Sequence, residues 1–341
     1  MDNQAAWITS PKSTVEIGPA PKYIPDAGQV LVRIESIGFN PVEPKIQKWS
    51  ALPFPYPGIL EVSFAGIVEQ VGPGVTSIQI GDRVVVSKSH GDDNDPSFSA
   101  YQKYALARET RIAKLDLSMS LDDASVAITN SATIVAALTI KMGLAQPPIT
   151  GKAAPNGKRV LIYGGSSSCG RYAVKYASDA GYAVITTSSA GHRDIVQQHG
   201  PTHIIDHTLP QEQVVKSLKS HGPYDAVFDA IGTPPVTAIM VAMFEDKNAS
   251  YHSTLPLMGS PQTPPIVERF FASYASLFDE DDNQEIRRWF FEEYFPEGLR
   301  NGRIIPSIII KKEHGLNSVQ EVLDVMLDVP GKKFVVNPQD E

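Results

Sequence analysis

From Val160 to Gly170 the chain reads VLIYGGSSSCG, an apolar run that breaks into two glycines and three serines before helix-forming residues resume. Apolar residues in an unbroken run bounded by glycine describe a buried strand, whereas Ala173, Ala177 and Ala180 fall at helical spacing and would let a helix lie close to a sheet. Few junctions constrain a fold as strongly as a strand that feeds a small-residue turn and then a helix. Small side chains let the backbone approach a ligand, and the helix amino terminus offers free N–H groups and a partial positive charge suited to a pyrophosphate. A serine replaces the middle glycine of the strict G-x-G-x-x-G pattern. A tight structural turn without a ligand is the competing reading of the same residues.

The surroundings favour the ligand. Between Lys158 and Leu257 short apolar runs (KRVLIYGG, YAVITTS, THIIDH, YDAVFDAIG, ASYHSTLPL) alternate with helix-length segments starting near Cys169, Gly191, Gln211 and Pro235. That alternation predicts βαβ units in a doubly wound parallel sheet, an α/β dinucleotide-binding (Rossmann) domain. Residues 1 to about 115 read differently. The runs QVLVRIESIGF, FAGIVEQVG and DRVVVSK, punctuated by Pro25-Asp26-Ala27-Gly28 and Gly72-Pro73-Gly74, predict a mostly β domain. Beyond the proline-rich SPQTPP, an amphipathic segment bearing Trp289, Phe290, Tyr294 and Phe295 predicts a helix packed between domains, followed by a strand, a helix and a terminal KKFVV strand. The expected division is a β domain over 1–120 completed by 285–341, with the dinucleotide domain over 121–284. The 341 residues accommodate two domains at roughly 150 residues each.

Composition removes several functions. With 30 basic against 38 acidic residues the net charge is -8, so no diffuse basic field attracts a nucleic acid or an anionic membrane. A single cysteine, Cys169, rules out an internal disulfide and a multi-thiolate zinc site. The start MDNQAAWITSPKS carries neither a basic leader nor the apolar run of a secretory signal, and the single cysteine fits a reducing compartment, so a cytoplasmic protein is expected. The uncharged stretch Ala124–Ile140 contains six Ser, Thr and Asn residues and reads as a buried helix, short of the ~20 apolar residues of a span.

Cofactor choice follows from the end of the second strand of the alternating region. A sheet that takes NAD presents an acid there, but this chain presents Thr187, Ser188, Ser189, His192 and Arg193. Hydroxyls and an arginine suit the 2′-phosphate of NADPH, and His207 at the end of the third strand adds a donor. A solvated turn with an incidental arginine is the alternative. The amino-terminal part of the cofactor site is expected at Gly164, Gly165, Ser166, Ser167, Ser168 and Cys169.

The chain resembles the zinc-independent medium-chain dehydrogenase/reductases, close to fungal trans-acting enoyl reductases of polyketide synthesis and related to quinone oxidoreductases. The resemblance spans nearly the whole chain. It rests on Gly38-Phe39-Asn40-Pro41-Val42-Glu43-Pro44-Lys45, Phe64-Ala65-Gly66-Ile67-Val68 with Val71-Gly72, Gly81-Asp82-Arg83-Val84, the glycine-serine turn, and Gly331-Lys332-Lys333-Phe334-Val335-Val336. It implies a GroES-like β domain to which the last segment returns, with the dinucleotide domain inserted. It adds Val42, Lys45, Leu255, Pro256 and Val335 to the cofactor contacts and assigns Asn130, Thr133 and Val135 to the substrate pocket. Zinc-bearing relatives have a cysteine near Asn40 and a His-Glu pair near Glu61-Val62, so no metal is expected here.

Lys45 matches a lysine that in relatives lies beside the cofactor ribose and the substrate carbonyl, where it would stabilise charge developing on a thioester oxygen. By residue type alone a lysine is as readily a solvated surface charge. Glu43, Pro44, Glu61-Val62-Ser63, Val135 and Gln197 depart from the family pattern, the last leaving Arg193 and the serines alone at the 2′-phosphate. Cys169 fits a small filler of the turn, although a cysteine opening a helix also suits a reactive thiolate. The activity implied is NADPH-dependent reduction of an activated C=C bond, in particular an α,β-unsaturated polyketide thioester on the carrier protein of a partner polyketide synthase. Two rivals stay open: a quinone or enone reductase acting on free small molecules, and a cofactor-binding protein without redox turnover.

Overall fold

The computed structural model describes residues 2–60, 62–244, 248–255, 263–264, 266–271, 274–329 and 331–340. The chain divides into two compact units, Met1–Ala132 with Phe278–Glu341, and Thr133–Leu277.

The second unit is built on a six-stranded sheet whose spatial order is His203–Asp206, Ala183–Ser188, Arg159–Tyr163, Ala226–Asp229, Ala249–Ser253 and Val267–Phe271, with all neighbours parallel. The chain therefore winds outward from Arg159–Tyr163 in both directions. It reverses between the first and fourth strands, the switch point beyond whose carboxyl ends folds of this kind bind ligands. Val160, Leu161 and Ile162 are wholly buried, as expected of a central parallel strand with both faces covered. The helices Ser168–Asp179, Arg193–Gln197, Gln211–Ser220 and Pro234–Phe244 lie at the anticipated places, the second shortened to five residues after a 3-10 turn. One reading needs correction. Val267–Phe271 falls in the stretch read as amphipathic helix, yet it is the sixth strand, in register with Ala249–Ser253. Five residues are too few for period 2 and period 3.6 to differ, so the free edge of the sheet decides.

In the first unit a seven-stranded sheet runs Ile308–Lys312, Lys332–Val336, Gln29–Gly38, Ser63–Val71, Arg83–Ser87 and Ile112–Leu115, with Tyr104–Arg108 also paired to Gln29–Gly38. A three-stranded sheet of Val15–Ala20, Asn3–Ile8 and Gly58–Ile59 accompanies it. The carboxyl-terminal strand returns to the amino-terminal one, Val335 opposite Gly38 and Val336 opposite Ile37. Its neighbour Phe334 shares an apolar core with Ile34, Phe39, Phe64, Val84, Val322 and Leu323.

The aromatic segment is helical as anticipated: Gln284–Arg288, a π-helical turn Trp289–Tyr294, then Phe295–Arg300. Its Phe290 and Phe291 pack on Phe278. The buried Arg111 guanidinium lies 5.6 Å from the Phe278 ring and pairs with Asp279, so its charge is held between an aromatic face and a carboxylate. Leu121–Val135 runs on through a π-helical turn to Lys141. Among the described residues it is the one helix long and apolar enough to cross a membrane, and 72% of its apolar window is buried inside the protein, as in a core helix.

One buried group makes stability depend on pH. His199 is almost wholly buried, and among the described residues neither of its ring nitrogens has a hydrogen-bond partner. Burial, reinforced by Arg171 and Lys175, lowers its pKa from 6.5 to about 4. An unfolded chain binds a proton at this residue below pH 6.5 and the folded chain does not. The contribution is therefore complete above pH 6.5 and is lost as the pH falls toward 4, with a slope of at most about 1.4 kcal/mol per pH unit. His199→Leu should flatten the decline in melting temperature across this window. An identical slope in wild type and variant would remove His199 as its source.

Candidate functional site

The glycine-serine turn sits at the carboxyl end of the first strand, at the point where strand order reverses. Gly164 adopts φ +85°, a left-handed conformation that favours glycine. Its N–H donates to Thr187 Oγ1 at 2.8 Å, and the next amide, Gly165, donates to the Thr187 carbonyl at 2.9 Å. A Cβ added to Gly165 would lie 2.3 Å from Thr186 Oγ1, and one added to Gly170 only 2.0 Å from the Gly164 carbonyl oxygen. All three glycines are thus required by close approach or by dihedral angle. Ser167 caps the helix Ser168–Asp179, its Oγ accepting from Gly170 N–H at 3.0 Å. Ser166, Ser167, Ser168 and Cys169 are half-buried between buried neighbours, so this edge of the unit is mainly backbone and small side chains. Cys169 is the second residue of the helix, and its thiol is in no disulfide.

The second strand contributes in two ways. Thr186 and Thr187 are wholly buried, and Thr186 Oγ1 donates to the Ile162 carbonyl at 2.6 Å. These threonines shape the turn from below, a role that sequence reading missed when it placed Thr187 among the cofactor-facing hydroxyls. Ser188 is also buried, its Oγ donating to the Ser189 carbonyl at 3.2 Å. Ser189 Oγ lies 3.0 Å from His192 Nδ1. Arg193 is exposed and steadied by one bond from Nη1 to the Ile204 carbonyl at 3.2 Å, while the exposed His207 donates its N–H to the Ser188 carbonyl.

An acid is nonetheless close by. Asp206 lies in register with Ser188 on the third strand and accepts from Thr208 N–H at 2.8 Å and Oγ1 at 2.7 Å. The Thr208 side-chain and backbone bonds, then His207 and Arg193, hold its carboxyl below the usual range. The sequence signal for it was simple: an aspartate ending an apolar strand.

At the carboxyl end of the fourth strand Asp229 is wholly buried. Burial raises its pKa, opposed by bonds from the Gly232 and Ile231 amides, by Arg269 and by Ser253. Leu255 is half-buried, with its Cβ 2.6 Å from where a Cβ on Gly232 would sit. Pro256 and Glu61 lie outside the described residues.

In the first unit, Val42 and Lys45 are half-buried on the helix Val42–Trp49. A buried polar network anchors the entry to this helix. Lys333 Nζ donates to the Phe39 carbonyl at 2.9 Å and to Asn40 Oδ1 at 2.5 Å. Asn40 N–H donates to Glu43 Oε2 at 2.6 Å, and Asn40 Nδ2 to Ser63 Oγ at 3.2 Å. Asn130, expected in the substrate pocket, gives its amide to Asn40 Oδ1 at 3.2 Å. Val335 is buried next to Lys333 on the returning strand. Thr133 is half-buried and Val135 wholly buried in the second unit. Among the described residues no group of three or more His, Cys, Asp or Glu side chains is placed to hold a metal ion.

Fold and turn together define a GroES-like β unit joined to a Rossmann unit. Residues 26–116 match the alcohol dehydrogenase GroES-like domain. The chain is 32% identical to the dehydrogenase azaJ of Aspergillus niger, over 98% of both chains. It is 29% identical to the trans-enoyl reductase himH of Aspergillus japonicus, over 98% of this chain and 97% of that one. Its fold matches Escherichia coli quinone oxidoreductase complexed with NADPH at a TM-score of 0.74 and 16% identity, covering 99% of this chain and 100% of that one. The chain belongs to the medium-chain dehydrogenase/reductase family.

Proposed function

We propose that this protein is a cytoplasmic, zinc-independent reductase that uses NADPH to saturate the activated C=C bond of an enoyl thioester, presented on the carrier protein of a polyketide synthase. The observation that carries this reading is one juxtaposition. The Gly164–Gly170 turn adjoins a strand end that offers the half-buried Ser189 and His192 and the exposed Arg193, while Ser188 is buried with its hydroxyl bonded to the Ser189 carbonyl. The turn fits a pyrophosphate, because no side chain larger than cysteine occupies it and a capped helix starts within it. Arg193 and Ser189 fit a 2′-phosphate, the exposed arginine as a charge-assisted donor and the serine through its hydroxyl. The substrate class is supported by full-length likeness to a relative named as a trans-enoyl reductase. Zinc independence is supported by donor chemistry: near Asn40, where zinc-bearing relatives have a cysteine, this chain has none, and the Asn40 carboxamide is bonded to Lys333 and Ser63.

The bound dinucleotide would supply hydride. The protein's own task is to bind, orient and stabilise charge. As the β-carbon accepts hydride, negative charge grows on the thioester oxygen. Lys45 is assigned to that charge through its match to the family segment, on a helix whose entry is fixed by Asn40 and Lys333. The resulting enolate would take its proton from solvent, for the sequence offers no obvious dedicated acid.

The test is NADPH oxidation against enoyl thioesters, enones and quinones. Enoyl thioesters should turn over fastest; faster turnover of quinones would move the protein to the small-molecule reductases, and no turnover with tight binding would make it a cofactor-binding protein. Lys45→Ala should lower turnover ~10²–10³-fold with a smaller loss of NADPH affinity, and Lys45→Arg should recover part of it. Wild-type turnover in Lys45→Ala would end its assigned role. Arg193→Ala should weaken NADPH at least about tenfold while leaving NADH unchanged, since a charge-assisted bond to the 2′-phosphate is lost. Equal effects on the two cofactors would place Arg193 away from that phosphate.

A further inference from the structure

Across the switch point from Ser188, the fourth strand ends on a carboxylate that no motif announced. Asp229 Oδ1 accepts from Ile231 N–H at 2.9 Å and Gly232 N–H at 3.0 Å, and Oδ2 accepts from the Ser253 hydroxyl at 3.3 Å. Ala230 N–H donates to the Tyr163 carbonyl at 3.0 Å, tying the same turn to the first strand. Arg269 on the edge strand closes the arrangement, its Nη2 donating to the Gly232 carbonyl at 3.3 Å and to Ser253 Oγ at 2.9 Å. The turn aims one side chain at the neighbouring motif. A Cβ on Gly164 would lie 2.5 Å from Ile231 Cγ1 and 2.6 Å from Cδ1, so this isoleucine packs directly on the first glycine of the glycine-serine turn.

We propose that Asp229 is a positioning residue for the cofactor: by holding the Ile231 and Gly232 amides it seats Ile231 on Gly164 and fixes the turn that takes the pyrophosphate. Isoleucine suits the purpose because a β-branched side chain has few rotamers through which to yield. Without the carboxylate, two amides of the turn lose their acceptor and Ile231 loses its seat. The inference rests on the proposed cofactor and goes beyond it by naming the device that shapes its site.

The experiment is a fluorescence titration of NADPH into wild type, Asp229→Ala, Asp229→Asn, Ile231→Ala and the Asp229→Ala/Ile231→Ala double variant, with a melting curve for each. Asp229→Ala should bind at least about tenfold more weakly, since three hydrogen bonds to the carboxylate are lost, two of them from the turn amides. Asp229→Asn keeps an acceptor in the Oδ1 position and should recover most of that loss. Ile231→Ala should weaken binding by itself, and the double variant should be no weaker than Asp229→Ala, because both changes act through one contact. A role confined to stability predicts a lower melting temperature with affinity within about threefold of wild type, and that result overturns the inference. Fully additive losses also overturn it, because Asp229 would then act by a route other than Ile231. Should Asp229→Ala fail to fold, Ile231→Ala decides: weakened binding supports the inference and unchanged binding overturns it. If wild type itself does not bind NADPH, the cofactor reading falls and the inference with it. Wild-type binding with unchanged variants overturns the inference alone.

Discussion

The close approach of Gly170 to the Gly164 carbonyl governs the second unit. With only 2.0 Å available to a Cβ, the helix Ser168–Asp179 starts hard against the end of the central strand, and its amino terminus has one place to be. Neighbouring elements are fitted to that contact. Thr186 and Thr187 bond to the first strand and the turn from one side, and Ile231 fills the other. A parallel sheet wound outward from one strand gives this junction a reversal point, and a crevice there is where such folds bind ligands. Topology and local sterics thus select the same site.

The first unit solves a different problem, that of holding a short helix at a defined place on a β scaffold. Its solution is long-range. The returning strand Lys332–Val336 brings a buried lysine to Asn40, and Asn40 takes hold of Glu43 and Ser63. A buried ammonium is costly unless bonded, and here it donates to two oxygens at the base of the helix bearing Lys45. Chain ends far apart in sequence thereby fix one another.

Legibility followed the range of the interactions. The alternating strands and the turn were readable because hydrophobic period and small residues are local signals, and the β character of the first part was readable from its turns. Val267–Phe271 was misread because five residues carry no decisive period and their partner strand lies elsewhere in the chain. Thr187 was seen as a hydroxyl but not as the acceptor for Gly164, because strand register sets which way it faces. Asp229 and Lys333 escaped notice for the same reason: each acts through partners that only the folded chain supplies, and a buried charge is invisible to composition. Lys333 at least stands inside Gly331-Lys332-Lys333-Phe334-Val335-Val336, one of the segments that carry the family resemblance. Nothing comparable marked Asp229 except its place at a strand end.

Hydride delivery is the step on which the functional account turns, and it is read most directly by isotope transfer. The protein would be given an enoyl thioester and NADPH carrying deuterium at the transferable position of the nicotinamide ring, and the saturated product examined by mass spectrometry and NMR. A reductase of the proposed kind yields product with one deuterium on the β-carbon, and a solvent-derived hydrogen on the α-carbon. Oxidised cofactor without deuterium in the product, deuterium on the α-carbon, or a reduced carbonyl in place of the saturated chain would contradict it.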